Sequence, residues 1–249
     1  MTEVGYKTHS GKIRSNNEDS YLVMRTKGVY MVADGVGGNN GGEKASKMAV
    51  DIVSEYISKN NLDQLNKKEE IGWLFKRAID EANLQIREKA KSNSEYHGMA
   101  TTLVVAYILG KTLFVINIGD SRAYICRDEE IYQITEDHTY VNSLVKQGAI
   151  TKEEARDHEE NHMITKAVGA EPTADMDFFK IGIEKDDVIL LCTDGLYGEI
   201  QDDVILKNII EEKNMTKLAN KLIEIANEAG GKDNVTAVCI TVKGGNQNE

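Results

Sequence analysis

Proline is nearly absent from this chain of 249 residues: Pro172 is the only one, and no stretch rich in Gly, Ser or Pro separates one part from another. With no such linker, low-complexity segment or internal repeat, the sequence reads as one domain, long enough to bury a substantial core. Cysteine is scarce as well. Cys126, Cys192 and Cys239 are odd in number, far apart and without a Cys-x-x-Cys spacing, which argues against a disulfide framework or a zinc site. Cys192 and Cys239 fall inside apolar runs, where a reduced cysteine behaves as a small hydrophobe. No apolar run approaches the roughly 18 residues that suggest a membrane span, and the start of the chain lacks a basic region followed by an apolar one. Basic residues are outnumbered, 30 Lys and Arg against 41 Asp and Glu, for a formal net charge of −11. That balance disfavours a nucleic-acid backbone or an anionic membrane as the main partner. The expectation is a cytoplasmic monomer.

What is present is a regular alternation of apolar and turn segments. Strand-like runs cover 20–24, 29–33, 102–109, 112–118, 122–126, 131–134, 178–183, 188–192 and 236–242, and Gly110-Lys111 gives a two-residue hairpin signal between two of them. One-sided helical spacing appears from Ala45 to Ile57, from Leu74 to Ile86 and from Met215 to Ala229. Strands come in runs and helices in pairs, an order that predicts α+β with mostly antiparallel sheet. Residues 137–172 differ from the rest. A short apolar helix through Val141, Leu144 and Val145 precedes a capping-box pattern at Thr151 to Glu154 and then a polar run, so this stretch reads as an insertion.

Acidic residues recur where strands end: Asn17-Glu18-Asp19, Ala33-Asp34-Gly35, Gly119-Asp120-Ser121, Thr193-Asp194-Gly195 and Lys232-Asp233-Asn234. Singly, each is the composition of an ordinary turn. If the strands share a sheet edge, their carboxylates converge. Bare carboxylates about 4 Å apart repel by roughly 4 kcal/mol per pair at an effective dielectric near 20, so such a cluster calls for cations or protons. Carboxylate, carbonyl and water oxygens suit Mg²⁺ or Mn²⁺.

The order of these motifs carries a resemblance. Gly11-x-x-Arg14-x-x-Asn17-Glu18-Asp19, then Ala33-Asp34-Gly35 with a glycine-rich loop, Thr101-Thr102 before a strand, Gly119-Asp120-Ser121-Arg122, Thr193-Asp194-Gly195-Leu196 and Asp233-Asn234-Val235-Thr236 follow each other as in the metal-dependent protein serine/threonine phosphatases, the PPM or type-2C family. The chain resembles the bacterial stand-alone members over nearly its whole length. The resemblance implies a four-layer α-β-β-α sandwich, two mostly antiparallel sheets flanked by helical pairs. It makes 1–242 a single phosphatase domain with 137–172 as a flap, and 243–249 a polar tail. It also implies two Mn²⁺ or Mg²⁺ ions bridged by Asp34, with Asp19 and Glu18 on one side, Glu18 through water, the Gly35 carbonyl adding an oxygen, and Asp194 and Asp233 completing the other. Asp120 with Asp194 matches the ligands of a third ion that bacterial members often carry. Arg14 matches the phosphate-binding position, and a guanidinium can grip two phosphate oxygens in a fork. Read without the family, Arg14 is a surface ion pair with Glu18 or Asp19.

The implied activity is hydrolysis of phosphoserine and phosphothreonine in proteins by direct attack of a metal-bridging water, with phosphorylated proteins, including a Ser/Thr protein kinase whose action it reverses, as partners. Two departures matter. Val36 and Asn39 stand where some family members place a histidine, which leaves the leaving-group proton without an assigned donor. His138, His158 and His162 lie in the insertion without zinc-helix spacing and read as solvated or hydrogen-bonding groups. The glycine-rich loop from Gly35 fails the dinucleotide pattern at Asn40 and reads as room for close backbone approach. Two other readings share the fold: a phosphoprotein-binding module without catalysis, and a hydrolase of small phosphate esters.

Overall fold

The computed structural model describes residues 2–37, 41–60, 62–65 and 67–243. In chain order the elements are β1 (Thr2–His9), β2 (Asp19–Met24), β3 (Val29–Val36), α1 (Gly41–Lys59), α2 (Lys68–Ser92), β4 (Ala100–Thr101), β5 (Leu103–Leu109), β6 (Thr112–Ile118), β7 (Arg122–Arg127), β8 (Glu130–Gln133), α3 (Tyr140–Lys146), α4 (Lys152–Arg156), β9 (Asp177–Gly182), β10 (Val188–Cys192), α5 (Asp194–Tyr197), α6 (Asp202–Glu211), α7 (Met215–Ala229) and β11 (Val235–Val242). One sheet runs β1-β11-β10-β7-β8, the other β2-β3-β5-β6-β9 with β4 against β3. The strand pairs are antiparallel throughout.

Alternation along each central strand decides the layering. In β3, Met31 and Ala33 face α1 and α2, while Tyr30 and Val32 face the other sheet. In β10, Leu190 and Cys192 face α6 and α7, and Ile189 and Leu191 point inward. Strands buried on both faces must be apolar on both, which is why they read as unbroken hydrophobic runs. Three cores result: helices on sheet, sheet on sheet, sheet on helices. This is the expected four-layer α-β-β-α sandwich. The helices supply matching stripes, with Ala45, Ala49, Val53 and Ile57 of α1 and Phe75, Ala78, Ala82 and Ile86 of α2 all buried.

The local signals hold where they were specific. Gly110 takes a φ of 58° in the β5–β6 turn, and Thr151 and Glu154 form the reciprocal capping box that opens α4. The three cysteines are free and buried. Residues 137–172 connect β8 to β9 and touch the body through the bridge Thr101↔Val168 and the reciprocal backbone hydrogen bonds of Thr101 and Val168. Four of the described elements lack a counterpart in the sequence reading: β1, the two-residue β4, α5 and α6. The strand β1 alternates buried and exposed residues only weakly, and Gly5 sits inside it because a Cβ there would lie 2.1 Å from the backbone of Met215. Asn39 and the tail from 244 onward lie outside the described residues.

Candidate active site

Antiparallel pairing of β2 with β3 sets Asp19 directly opposite Asp34. The Asp34 backbone is fixed from the next strand: its N–H donates to Thr102 Oγ1 at 2.9 Å, and its carbonyl accepts from Thr102 N–H and Thr101 Oγ1, both at 2.8 Å. The two threonines thus satisfy backbone groups, as their position before a strand suggested. Sheet one supplies the other wall. Thr193, just after β10, and Thr236, in β11, donate hydroxyls to Asp19 Oδ2 at 2.9 and 2.6 Å. Asp194 follows Thr193 and opens α5, and Asp233 precedes β11.

Close backbone approach makes this juxtaposition feasible. A Cβ on Gly35 would lie 2.0 Å from the Gly42 carbonyl oxygen, and one on Gly195 would lie 2.0 Å from that of Asn234. Only glycine fits such contacts. Asn234 ties the strands' ends together, accepting from Glu18 N–H at 2.7 Å and donating to the carbonyls of Asn16 and Ser10 at 2.8 and 3.0 Å.

Electrostatics reports the crowding. Burial, with the charge of Asp194 and Asp233 added, pushes the Asp19 carboxyl up to about 7 despite its two hydroxyl donors. Burial, with Asp194 and Asp137 nearby, pushes Asp120 up to about 8. Asp34 is raised well above the carboxylate range by burial first, then by Asp19, Asp194 and Asp120. Asp194 is raised by burial and by Asp233. Glu18 is also raised, chiefly by burial.

Divalent cations would relieve this strain, and the donor set fits them. Asp19 Oδ1 and Asp194 Oδ1 are buried with no hydrogen-bond partner. Leaving a buried acceptor unmade costs about 1–3 kcal/mol, and coordination to a cation would satisfy both oxygens. Among the described residues the carboxylates do not yet close into a three-acid cage. The acids share a wall between two sheets and repel one another.

Arg14 is in the cluster, with a different partner from the one its sequence neighbourhood suggests. Its Nη2 meets Asp233 Oδ2 at 2.7 Å, not Glu18 or Asp19. The loop carrying Arg14 turns at Gly11 (φ +77°) against the Asp233 carbonyl, which brings residues far apart in sequence side by side. The pair is roughly half exposed.

The protein phosphatase 2C profile matches residues 8–238, nearly the whole chain. The chain belongs to the protein phosphatase 2C family. It is 34% identical to the serine/threonine phosphatase stp of Listeria welshimeri over 238 residues, 94% of each chain. Among solved structures of the family, it is similar to serine/threonine phosphatase Stp1 from Staphylococcus aureus, at a TM-score of 0.90 and 33% identity, covering 98% of this chain and 96% of that one. It is also similar to the catalytic domain of serine threonine protein phosphatase PstP in complex with two manganese ions, at a TM-score of 0.85 and 31% identity, covering 98% and 99%.

Behind the family's acids stand residues that the motifs alone did not reveal. His138 is buried, accepts from the Gly119 N–H at Nδ1 (3.1 Å) and meets Asp177 with Nε2 (3.2 Å). Those two bonds fix the neutral tautomer, and burial lowers its pKa. It is a strut under the Gly119–Asp120 turn. Arg122 bonds Asp137 through Nε and Nη2, at 2.6 Å for the shortest contact, and Tyr197 donates its hydroxyl to the Asp120 carbonyl at 2.9 Å. Thr193 and Thr236 look like strand residues in sequence; only the pairing of sheets reveals that they hold Asp19.

Proposed function

We propose that this chain is a Mn²⁺- or Mg²⁺-dependent phosphatase acting on phosphoserine and phosphothreonine in proteins. The observation that carries this reading is the pair of buried, partnerless oxygens Asp19 Oδ1 and Asp194 Oδ1, on carboxyls that, like that of Asp34, are raised in pKa by burial first and then by neighbouring acids. Asp34, Asp19, Asp194, Asp233, the Gly35 carbonyl and Glu18, the last through water, would hold two ions, and Asp120 with Asp194 a third. Bound divalent ions supply a nucleophilic water at neutral pH and polarise the phosphoryl group.

This chain's own residues do the rest. Thr193 and Thr236 orient Asp19, and Thr101 and Thr102 hold the Asp34 backbone, so the carboxylates face inward before any ion arrives. Arg14 receives the substrate phosphate by exchanging its contact with Asp233 for a fork on two phosphate oxygens. Residues 137–172 act as a flap beside the site, within a single catalytic domain spanning 1–242. No side chain is assigned to protonate the leaving group, with Val36 directly after the Asp34-Gly35 pair. The substrates are phosphorylated proteins, among them a Ser/Thr kinase, and the enzyme works as a cytoplasmic monomer. Among the described residues no helix is long and apolar enough to cross a membrane.

Phosphate release from a phosphothreonine peptide in Mn²⁺, with and without chelator, tests the reading. Turnover that survives chelation would sink the metal mechanism. Higher efficiency on nucleotides than on phosphopeptides would favour the small-ester reading, and absence of Mn²⁺ binding by calorimetry at millimolar metal would favour a non-catalytic module.

A further inference from the structure

Away from the acid cluster, the first turns of α2 stand over the end of sheet two and leave a groove of about 370 Å³ against β9. Phe178 and Met176 form its floor, and Gly72 forms the part of the wall nearest Phe178. A Cβ on Gly72 would lie 3.0 Å from the Phe178 ring, so the missing side chain is what admits the aromatic floor. Trp73, the only tryptophan of the chain, lines the groove with 66% of its surface exposed. An indole left outside the core is an uncommon use of the largest apolar side chain, and aromatic residues of this kind anchor protein contacts.

The strand beside the groove is also open. β9 is the last strand of sheet two and, among the described residues, pairs with β6 on one side only. An unpaired edge presents backbone donors and acceptors to any extended chain. The register fixes which side chains would flank such a chain on the helical face. Phe178 pairs with Ile116 and Lys180 with Phe114, and both partners belong to the core under α1 and α2, so Phe178 and Lys180 share that face. Lysines gather there: Lys68 Nζ lies 5.6 Å from the Phe178 ring centroid, Lys76 lines the groove while bonding Asp80, and Lys180 is exposed. Among the described residues Glu69 is the one acid that lines the groove. In a chain of net charge −11 this is a locally basic rim around an apolar floor.

We propose that this groove docks an extended segment of a partner protein, which adds a strand to the outer edge of β9. The segment would place an apolar side chain toward Trp73 and Phe178 and an acidic one, two residues away, toward Lys180 and Lys68. Charge selects this occupant over a second copy of the chain. Two copies meeting edge to edge would set these lysines against each other, and like charges facing across strands are destabilising. The inference is independent of the proposed phosphatase activity, since the groove shares no residue with the acid cluster.

Trp73 provides the readout. The probe is a short threonine- and serine-based peptide carrying one phenylalanine and one glutamate separated by a single threonine, in either order. Titration into the full chain should shift the Trp73 emission to the blue and saturate. The same peptide with lysine in place of glutamate, or serine in place of phenylalanine, should bind at least about tenfold more weakly. The double variant Lys68→Glu with Lys180→Glu, two exposed positions, should lose binding by a similar factor while its far-ultraviolet circular dichroism and melting temperature stay unchanged. For Trp73→Ala, anisotropy of a fluorescein-labelled peptide should report weakened binding with phosphopeptide turnover retained. No saturable shift, equal binding of the lysine peptide, or concentration-dependent dimerisation abolished by Trp73→Ala without peptide binding would each overturn the proposal.

Discussion

The guanidinium of Arg122 lies 3.5 Å from the centroid of the Tyr197 ring while it grips Asp137, and the Tyr197 hydroxyl holds the Asp120 carbonyl at 2.9 Å. One cation therefore joins the start of the insertion to the turn that carries a candidate ligand. Stacking and bidentate bonding both need a planar fork, which lysine lacks. Arg122→Lys should lower stability by about 1–2 kcal/mol, and Arg122→Ala, which strands Asp137, by about 3 kcal/mol, measured by urea unfolding. Tyr197→Phe should cost about 1 kcal/mol. An unchanged midpoint for Arg122→Ala would show the stack to be incidental.

Asp34→Asn and Asp194→Ala should each reduce Mn²⁺-dependent phosphate release by on the order of a hundredfold or more, because each removes a carboxylate proposed to ligate the metal. In metal-free protein the direction of the stability change reverses. Asp34 is raised by burial and by three neighbouring acids, so Asp34→Asn should raise the melting temperature above neutral pH. Substantial activity in both variants would remove the acid cluster from the reaction.

The raised carboxyls dictate how metal-free stability depends on pH. Asp19 and Asp120, at about 7 and about 8, bind protons in the folded state that the unfolded chain releases nearer 4. Between those limits the folded state holds more protons, so stability falls as pH rises from about 4 to about 8. Glu3, Glu136 and Asp175, lowered by hydrogen bonds to lysines, act oppositely and lose their contribution in acid. The metal-free protein should melt highest on the acid side of neutral. Mn²⁺ should flatten that profile and release protons on binding, which calorimetry in buffers of different ionisation enthalpy can count. A metal-free melting temperature that climbs steadily from pH 5 to pH 8 would contradict the raised values.

Thr236→Val removes the 2.6 Å donor to Asp19 without changing volume appreciably. Mn²⁺ affinity should fall about 10- to 100-fold, the usual consequence of losing an outer partner of a ligand. Thr193→Val should do the same to a similar degree. Isothermal titration decides the point, and unaltered affinity in both would leave Asp19 self-positioned.

Legibility in the sequence followed the range of the interaction. The helices α1, α2 and α7, the β5–β6 turn and the Thr151 cap are written within a few residues, and each reads correctly. The acids are visible because an Asp-Gly or Gly-Asp after an apolar run marks a strand end, and the ordered motifs specify the family. What is hidden depends on neighbours beyond the local pattern, from 15 positions apart for Arg122 and Asp137 to 219 for Arg14 and Asp233. The hydroxyls of Thr193 and Thr236 matter only because the second sheet lies beneath Asp19. Arg14 meets Asp233 across 219 positions, which no local charge pattern foretells. β1 lacks a strong period because its small Gly5 faces the backbone of α7, and the short α5 is too brief to show periodicity.

Asp19 and Asp34 belong to one sheet, while Thr193 and Thr236 belong to the other or its immediate continuation, and the inner apolar layer alone keeps those sheets apart. The thickness of that layer is therefore a caliper for the chemistry. Enlarging or shaving an inner-layer side chain such as Val115 or Ile240 should reset the gap between the carboxylates before it noticeably changes the architecture. Evolution of catalytic rate in this scaffold can proceed through residues that never meet substrate.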